Sequence, residues 1–263
     1  IDLANHRYLS FIMTRLNNRI GWLLVVAIIL LIYWQPSSSI RNGVRTRIYL
    51  VPYTVDLLMG PTICGGAILS STFVVTAASC VQNKKKEEIM VHYGSANRTI
   101  GGYNTTVKSI FINEHYDNST MHSNIALLET DEMTLDNLTS KAIELPLAQS
   151  DPPIGTWVLV SGWGGMTKES YSDVLRKAFF NVKDPDQCKT STKTHEPTTS
   201  EEFCANTNVS LETGDEGDPA VHNARLVGLG SYPPSNPDYP SVFTRVGAFM
   251  GWIQSVIHKN GES

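Results

Sequence analysis

The stretch TGDEGDPAV at residues 213–221 places three carboxylates, Asp215, Glu216 and Asp218, in one glycine-rich turn. Two carboxylates on opposite sides of a cleft can carry out glycoside hydrolysis, one as a general acid and the other as a base or nucleophile. Neighbouring residues of one tight loop cannot flank a substrate in that way. The spacing therefore argues against a glycosidase, and the chemistry of this loop depends on the residues around it.

A histidine is the side chain best suited to act as a general base beside such a loop near neutral pH. His122 lies two residues before Asn124, and His222 lies six residues after Glu216, so both are candidates. An isolated loop histidine is more often a surface residue, and we expect neither to act as a base. No histidine or cysteine spacing typical of zinc is present, and we expect no metal and no cofactor. The seven histidines are His6, His92, His115, His122, His195, His222 and His258.

The composition is that of an ordinary globular protein. Of the 263 residues, 41% are hydrophobic and 17% are charged, and the net charge is −4. A chain of this length can bury the core of one large or two small domains. The balance is slightly acidic, and the charged run KKKEE at 84–88 is typical of a solvated turn. Nucleic acid is therefore not an expected partner.

The segment 1–39 predicts an export signal. Residues 20–34, IGWLLVVAIILLIYW, form an uninterrupted apolar run after Arg15 and Arg19 and before QPSSS. This run is shorter than the roughly 20 residues that a membrane-spanning helix needs. It fits a secretory signal peptide. We expect translation to begin at Met13 and the signal to be cleaved, and a retained signal anchor is the alternative.

Secretion predicts oxidised cysteines and glycosylated asparagines. The four cysteines fall into two pairs, each with its members sixteen residues apart: Cys64 and Cys80, and Cys188 and Cys204. Four cysteines allow three connectivities, and spacing alone does not choose among them. Five N-x-S/T sequons are candidate glycosylation sites: Asn97, Asn104, Asn118, Asn137 and Asn208.

After residue 39 the sequence consists of short apolar or alternating runs that are broken by turn residues. Examples are YLVPYTVDLL, GAILSSTFVVTAA, TWVLVSGWG and ARLVGLGSY. Their β-branched and aromatic residues predict an all-β sandwich or barrel pair. The proline-rich stretch at about 145–155 predicts a linker between two halves. The segment at about 246–259 has apolar residues at helical spacing, which predicts a C-terminal α-helix.

Five segments stand in an order and at distances that point to one family. They are CGGAILSSTFVVTAASC (64–80), NIALLET (124–130), VSGWG (160–164), TGDEGDP (213–219) and YPSVFTRV…WIQSVI (239–257). Together they resemble the chymotrypsin/trypsin-fold S1 serine proteases, over about residues 40–258. The resemblance implies two six-stranded antiparallel β-barrels, at about 48–144 and 156–245, followed by the helix. It also implies the disulfide pairs Cys64–Cys80 and Cys188–Cys204.

At the matching positions, the family's catalytic histidine, aspartate and serine are replaced by Ser79, Asn124 and Glu216. A serine hydroxyl is not basic near neutral pH, so Ser79 cannot act as the general base. An amide at Asn124 cannot stabilise an imidazolium as the family's aspartate does. A carboxylate at Glu216 that attacked a peptide would form an anhydride, which is less stable than the amide. The resemblance therefore implies a degenerate triad without catalytic residues.

The substrate cleft also departs from the family's pattern. Pro233 lacks the N–H that would donate to an extended peptide. Ser241 replaces the glycine that lines the specificity pocket, so we expect a narrower pocket, and Ser210 matches the pocket base. Asp218 also replaces a glycine, and we expect it to adopt a backbone conformation that is costly for a residue with a Cβ.

Two residues that match the family lead to further expectations. Asp215 corresponds to the aspartate that pairs with a newly formed α-amino group, and Ile40 lies at the matching position for that group. We predict that signal peptidase cuts after Ser39 and that the Ile40 ammonium pairs with Asp215; local backbone donors to Asp215 are the alternative. We also predict that the Glu216 carboxylate accepts hydrogen bonds from the Gly214 and Glu216 N–H groups and fills the anion hole.

The sequence thus predicts a secreted, catalytically inactive protease homologue at 40–263, a monomer that acts as a protein-binding or regulatory scaffold. The expected partner is a protease, a zymogen or an inhibitor of a secreted cascade, an expectation that rests on analogy of fold. The alternatives are an active peptidase or hydrolase with a rearranged site, and a membrane-anchored ectodomain.

Overall fold

Alternation of apolar and polar residues along short strands produces two closed β-barrels. The structure, a computed structural model, describes residues 40–150, 152–165, 171–188, 200–234 and 239–261. The predicted all-β fold with two six-stranded antiparallel barrels and a C-terminal helix is confirmed.

Antiparallel neighbours close the first barrel in the order β2-β3-β4-β7-β6-β5. Each strand places its apolar residues inside, where Val55, Leu57 and Val91 are fully buried. The strands are β2 (Thr54–Met59), β3 (Thr62–Ile68), β4 (Phe73–Thr76), β5 (Met90–Tyr93), β6 (Tyr103–Ile112) and β7 (Ala126–Thr130). The predicted run YLVPYTVDLL is a strand only from Thr54, because Pro52 has no N–H for a sheet and the preceding Ile48–Leu50 forms a 3-10 helix.

The second barrel has the order β9-β10-β13-β12-β11-β8 and closes through the pairing of β8 with β9. A two-residue strand, β1, pairs with the beginning of β9. The bounds are β1 (Val44–Arg45), β8 (Trp157–Gly162), β9 (Arg176–Val182), β10 (Glu202–Asn206), β11 (Pro219–His222), β12 (Arg225–Tyr232) and β13 (Ser241–Arg245).

Helices occupy only the connections and the C-terminal end of the described chain. The α-helices are α1 (Ala78–Val81), α2 (Pro185–Cys188) and α3 (Met250–Gly261). The other 3-10 helices are Lys86–Glu88 and Val246–Phe249. The segment predicted as one C-terminal helix therefore begins as a 3-10 turn. Gly247 lies against Ser150 there, and a Cβ at Gly247 would come within 2.3 Å of the Ser150 carbonyl oxygen.

One hydrophobic cluster joins the two barrels and the C-terminal helix. It includes Ile63 and Leu127 from the first barrel, Leu229 from the second, and Ile253 from α3. Burial of such side chains is the main stabilising contribution to the fold. It fixes the two barrels against each other and thereby sets the geometry of the cleft between them.

Two disulfides join the cysteines as the resemblance implies, Cys64 to Cys80 and Cys188 to Cys204. The first links β3 to α1 and so holds α1 beside the barrel. No helix within the described residues combines the length and the apolar content that crossing a membrane requires. The predicted signal at 20–34 lies outside the described residues.

Candidate functional site

A cavity of about 340 Å³ opens between the two barrels. Helix α1 contributes Ser79 to its wall, the loop before β11 contributes Gly214 and Glu216, and β12 contributes Ser231. Another cavity, of about 270 Å³, lies beside α2 and contains no predicted site residue other than two cysteines. The cavity between the barrels is therefore the candidate site.

Asn124 is hydrogen-bonded to Ser79 beside the cavity. The Ser79 N–H donates to Asn124 Oδ1 at 2.8 Å. Asn124 Nδ2 donates to Ser231 Oγ at 2.9 Å and to the Ser231 carbonyl at 3.3 Å. All the polar atoms of this buried amide side chain are thus satisfied. The Ser79 hydroxyl is buried and has no hydrogen-bond partner in the part of the chain that the structure describes.

Glu216 turns back onto its own loop. Its Oε2 accepts a hydrogen bond from the Gly214 N–H at 2.7 Å, so the predicted Gly214 contact is confirmed. Gly214 has φ 93°, and a Cβ there would lie 2.7 Å from Cε1 of Tyr171. Only glycine fits this close approach. The N–H that could stabilise a developing oxyanion is thereby occupied by a side chain of the protein itself.

Asp215 lies fully buried behind the cleft. Its Oδ1 accepts the Gly164 N–H at 2.9 Å and its Oδ2 accepts the Glu212 N–H at 2.8 Å. Burial raises the pKa of Asp215 to about 7, although the two N–H groups oppose that rise. Local donors therefore satisfy this carboxyl in the uncut chain, and pairing with an Ile40 ammonium stays a prediction.

Ile40 lies at the beginning of the described chain and packs into the second barrel. Its side chain is fully buried in the second barrel's core. The N–H of the next residue, Arg41, donates to the Ser210 carbonyl at 2.9 Å. Ile40 has φ 41°, a left-handed conformation that is strained for a β-branched residue by about 1–3 kcal/mol.

Asp218 shows where the sequence-based expectation was wrong. Its φ is not positive, so the backbone is not the costly feature. The cost lies in the side chain, which is fully buried with both oxygens lacking a hydrogen-bond donor among the described residues. Asp56 on β2 is buried in the same way. Sequence reasoning missed Asp56, although a carboxylate within the apolar strand TVDLLM was an available signal.

Ser241 forms part of the wall of the second barrel. It is fully buried, and its Oγ accepts the Leu211 N–H at 2.9 Å. Its hydroxyl therefore occupies space that a glycine would leave free, and the narrowing of the specificity pocket stays a prediction. Ser210, at the predicted pocket base, is also buried.

The described residues that line the cavity include no histidine. His92 is buried on β5, with Nδ1 2.8 Å from Asn104 Oδ1. His222 has Nδ1 3.1 Å from the Trp157 carbonyl oxygen. His6 and His195 lie outside the described residues.

The sequons differ in accessibility. Asn97 is half-buried, and its Oδ1 accepts the Thr99 and Ile100 N–H groups. Its side chain is therefore less exposed than those of the other sequon asparagines. The remaining four are exposed: Asn104, Asn118, Asn137 and Asn208.

The two-barrel fold with this arrangement of the cleft agrees with a match to the trypsin family model, which covers residues 40–253. The chain belongs to the trypsin family. The described members of the cleft, Ser79, Asn124 and Glu216, all lie within the matched range. Trypsin Blo t 3 of Blomia tropicalis is 32% identical over 213 residues, which are 77% of this chain and 80% of that protein. Trypsin iota of Drosophila melanogaster is 31% identical over 225 residues, 83% of this chain and 88% of that protein.

Two solved structures have higher sequence identity to this chain than these two trypsins. The scabies mite inactivated protease paralogue S-D1 has 39% identity and a TM-score of 0.79, and covers 84% of this chain and 98% of its own. The scabies mite inactivated protease paralogue S-I1 has 40% identity and a TM-score of 0.76, and covers 82% of this chain and 99% of its own.

Proposed function

We propose that this chain is a catalytically inactive serine protease homologue that acts outside the cell as a protein-binding or regulatory scaffold. The observation that carries the proposal is the contact of 2.7 Å between Glu216 Oε2 and the Gly214 N–H, in a cleft whose other wall holds Ser79 and Asn124. The positions that hold the nucleophile, the base and the oxyanion-binding N–H in an active protease of this family all differ from that pattern, and they lie in one cleft.

Hydrolysis of a peptide in this fold requires a hydroxyl nucleophile, an imidazole that takes its proton and N–H groups that bind the oxyanion. Glu216 supplies a carboxylate in place of the hydroxyl, and that carboxylate occupies the Gly214 N–H. Ser79 supplies no basic nitrogen. Asn124 uses its amide to bind the Ser79 N–H and Ser231. None of these groups can replace the lost one.

The similarity to the two inactivated paralogues supports the absence of activity. Their identities of 39% and 40% exceed the 31–32% shared with the relatives that are named trypsins. A scaffold role fits a chain that has kept its barrels, its two disulfides and its interbarrel core while its cleft has changed. Its partner in this proposal is a protease, a zymogen or an inhibitor of a secreted cascade.

Secretion with direct processing before Ile40 is part of the proposal. The torsion φ of Ile40 exists only while Ser39 is bonded to it, so cleavage at that bond abolishes the strain. The freed ammonium would then meet the buried Asp215 carboxyl. Expression in insect cells, followed by N-terminal sequencing of protein from the medium, should find Ile40 first. A different first residue contradicts the processing, and retention in the membrane fraction supports the anchored alternative.

Activity can be tested with a fluorophosphonate probe and a broad peptide library. The wild type and Glu216→Ser should show neither labelling nor cleavage, because a serine alone has no base beside it. An active trypsin assayed in parallel serves as the positive control. Labelling of the wild type that Glu216→Ala abolishes, or cleavage with a defined sequence preference, would refute the proposal.

The scaffold role needs a separate measurement. Purified protein should change the rate at which a partner zymogen is activated, or the inhibition of a partner protease, in proportion to its concentration. Wild type and Glu216→Ser should act alike, since the effect does not depend on hydrolysis. An effect that grows with incubation time and is accompanied by cleavage of the partner by this chain would indicate turnover instead.

A further inference from the structure

The side chain of Asp218 is enclosed on every side. It has no exposed surface, and its two oxygens receive no hydrogen bond from a donor among the described residues. It fills the space that two glycines leave open. A Cβ on Gly65 of β3 would lie 1.8 Å from Asp218 Oδ1, and a Cβ on Gly162 of β8 would lie 1.7 Å from Asp218 Oδ2. The carboxyl therefore cannot turn out to water while the barrels stay packed.

The polar neighbour of this carboxyl is another carboxyl. The Asp218 and Asp215 side chains are both fully buried in the same loop and interact electrostatically, and the Asp218 N–H donates to the Asp215 carbonyl at 3.1 Å. Two ionised carboxylates cannot share a hydrogen bond, because neither has a proton to donate. Asp215 accepts N–H groups from Gly164 and Glu212, which favour its ionised form. Asp218 has no such donors, so it is the member that holds the proton.

In the uncut chain, no cation among the described residues replaces that proton. Asp218 makes no ion pair in the described part of the chain, and Arg98 instead pairs with Asp173 at 3.2 Å. His92 of β5 stands opposite Asp56 in the β2–β5 register, and its Nδ1 contacts Asn104. Among the described residues, the ionisable side chains that surround the pair on the neighbouring strands and loops are Asp56, His92, Glu216, Tyr171 and Arg98.

Electrostatics agrees with this geometry. Burial raises the pKa of Asp218 well above its usual value, and the charges of Asp215, Asp56 and Glu216 raise it further. Burial also raises the pKa of Asp56 to about 7, against the opposing effect of Arg98. An acidic group that is enclosed among other acidic groups keeps its proton at a pH where an exposed one has lost it.

We propose that Asp218 and Asp215 form a proton-sharing carboxyl pair, and that the proton on Asp218 keeps the loop 212–218 closed against the cleft. The same loop carries Gly214 and Glu216, so loss of the proton loosens the loop by repulsion between two buried carboxylates. The carboxyl pair thus makes the position of the loop 212–218 sensitive to pH. It does not depend on the proposed scaffold role.

The sign of the pH dependence follows from the proton count. The folded state keeps the Asp218 proton, while in the unfolded chain an aspartate releases it above about pH 4. The contribution of the Asp218 proton to the free energy of unfolding is therefore complete below about pH 4. It decreases as pH rises toward and beyond neutrality. For one retained proton, the unfolding equilibrium constant increases about tenfold per pH unit over that range.

The first test compares urea unfolding of the disulfide-intact wild type, Asp218→Asn and Asp184→Asn between pH 5 and 7. The amide that Asp218→Asn introduces cannot lose a proton, and it can still donate to Asp215. The pH slope of the logarithm of the unfolding constant should be about one unit smaller in Asp218→Asn than in the wild type. Asp184 is exposed and its substitution should leave the slope unchanged. Equal slopes in the wild type and Asp218→Asn would overturn the proposal.

A second measurement needs no variant, so it applies even if Asp218→Asn fails to fold. Infrared spectra of the wild type should show the C=O band of a buried protonated carboxyl at pH 7, decreasing at higher pH. Hydrogen exchange, corrected for the intrinsic effect of pH, should show falling protection of the Gly164 and Glu212 amides over the same range. The Leu127 amide of β7 is the internal control and should keep its protection. Absence of the protonated carboxyl at pH 7 would refute the pair.

Discussion

Two buried polar positions behind the cleft, Asn124 and Asp218, are satisfied in opposite ways. Asn124 has a partner for each of its side-chain atoms, through Ser79 and Ser231, and its carbonyl accepts the Thr244 hydroxyl at 2.9 Å. Asp218 has no donor among the described residues and contacts another carboxyl. A neutral amide is thus held by complementary groups, whereas a buried acid is held by retaining its proton. The contribution of Asn124 to the free energy of unfolding should therefore not depend on pH, whereas the contribution of Asp218 should.

The comparison also shows what replaced the family's chemistry. Hydrogen bonds hold the backbone around both positions, since Asp215 accepts the Gly164 N–H in the loop that carries Asp218, and Asn124 accepts the Ser79 N–H of α1. Buried polar groups stabilise a fold only when they are hydrogen-bonded or neutral. This requirement can be met without any catalytic group.

The largest effect should come from filling the space that Asp218 occupies. Gly162→Ala places a Cβ 1.7 Å from Asp218 Oδ2 and should lower the free energy of unfolding by about 3 kcal/mol. Adding Asp218→Ala removes the clashing carboxyl and should restore most of the loss. Gly251→Ala is the control, because nothing lies within 4 Å of a Cβ there. Equal destabilisation in the single and double variants would show that the clash lies elsewhere. Urea unfolding at pH 6 measures all four proteins.

Asn124→Ala tests the hydrogen bonds that Asn124 makes with Ser79 and Ser231. It leaves the Ser79 N–H and the Ser231 hydroxyl without their partner in a buried site, which should lower the free energy of unfolding by about 2 kcal/mol. The loss should be the same at pH 5 and pH 8, because no group in this network gains or loses a proton. Urea unfolding at both values checks this, and a loss that varies with pH would remove the contrast with Asp218.

Asp136 extends the comparison to an exposed carboxylate that accepts several hydrogen bonds. The Thr139 hydroxyl, followed by the Ser140 and Leu138 N–H groups, lowers the pKa of Asp136. The contribution of Asp136 to the free energy of unfolding is therefore present above about pH 4 and is lost as pH falls. This pH dependence is opposite in sign to that of Asp218. Asp136→Asn should reduce stability at pH 7 and flatten the decline between pH 4 and pH 2. Glu132→Gln, an exposed neighbour, should do neither. Urea midpoints across pH 2–7 distinguish the two.

The smallest change in the free energy of unfolding should come from Ser79→Ala. Its hydroxyl is buried without a hydrogen-bond partner among the described residues, while its N–H makes the contact to Asn124. Ser79→Ala keeps the N–H and removes only the unpaired hydroxyl, so the free energy of unfolding should change by less than about 0.5 kcal/mol. Thermal unfolding beside Asn124→Ala provides the measurement. A loss near that of Asn124→Ala would mean that the hydroxyl has a structural role.

The sequence by itself determined the fold class and the family, and the resemblance to that family implied the disulfide pairs. Short alternating runs bounded by turn residues specify strands, and the motifs at 64–80 and 213–219 place the family's cleft residues. The Gly214 contact of Glu216 was also predictable, because a carboxylate two residues along a glycine turn can reach back to that N–H. Local geometry decides the strands and the Glu216 contact, and local geometry is what a sequence pattern reports.

Only the tertiary structure decided which buried acids would meet. The register of β2 against β3 sets Asp56 opposite Gly65, and the packing of the second barrel brings Asp218 and Gly162 to the same place. The sequence-based expectation assigned the cost of Asp218 to its backbone, but the cost comes from enclosure by segments far apart in the chain. Desolvation and the loss of every donor depend on what surrounds a side chain in space. For that physical reason the sequence could name Asp218 as unusual without showing that it must hold a proton.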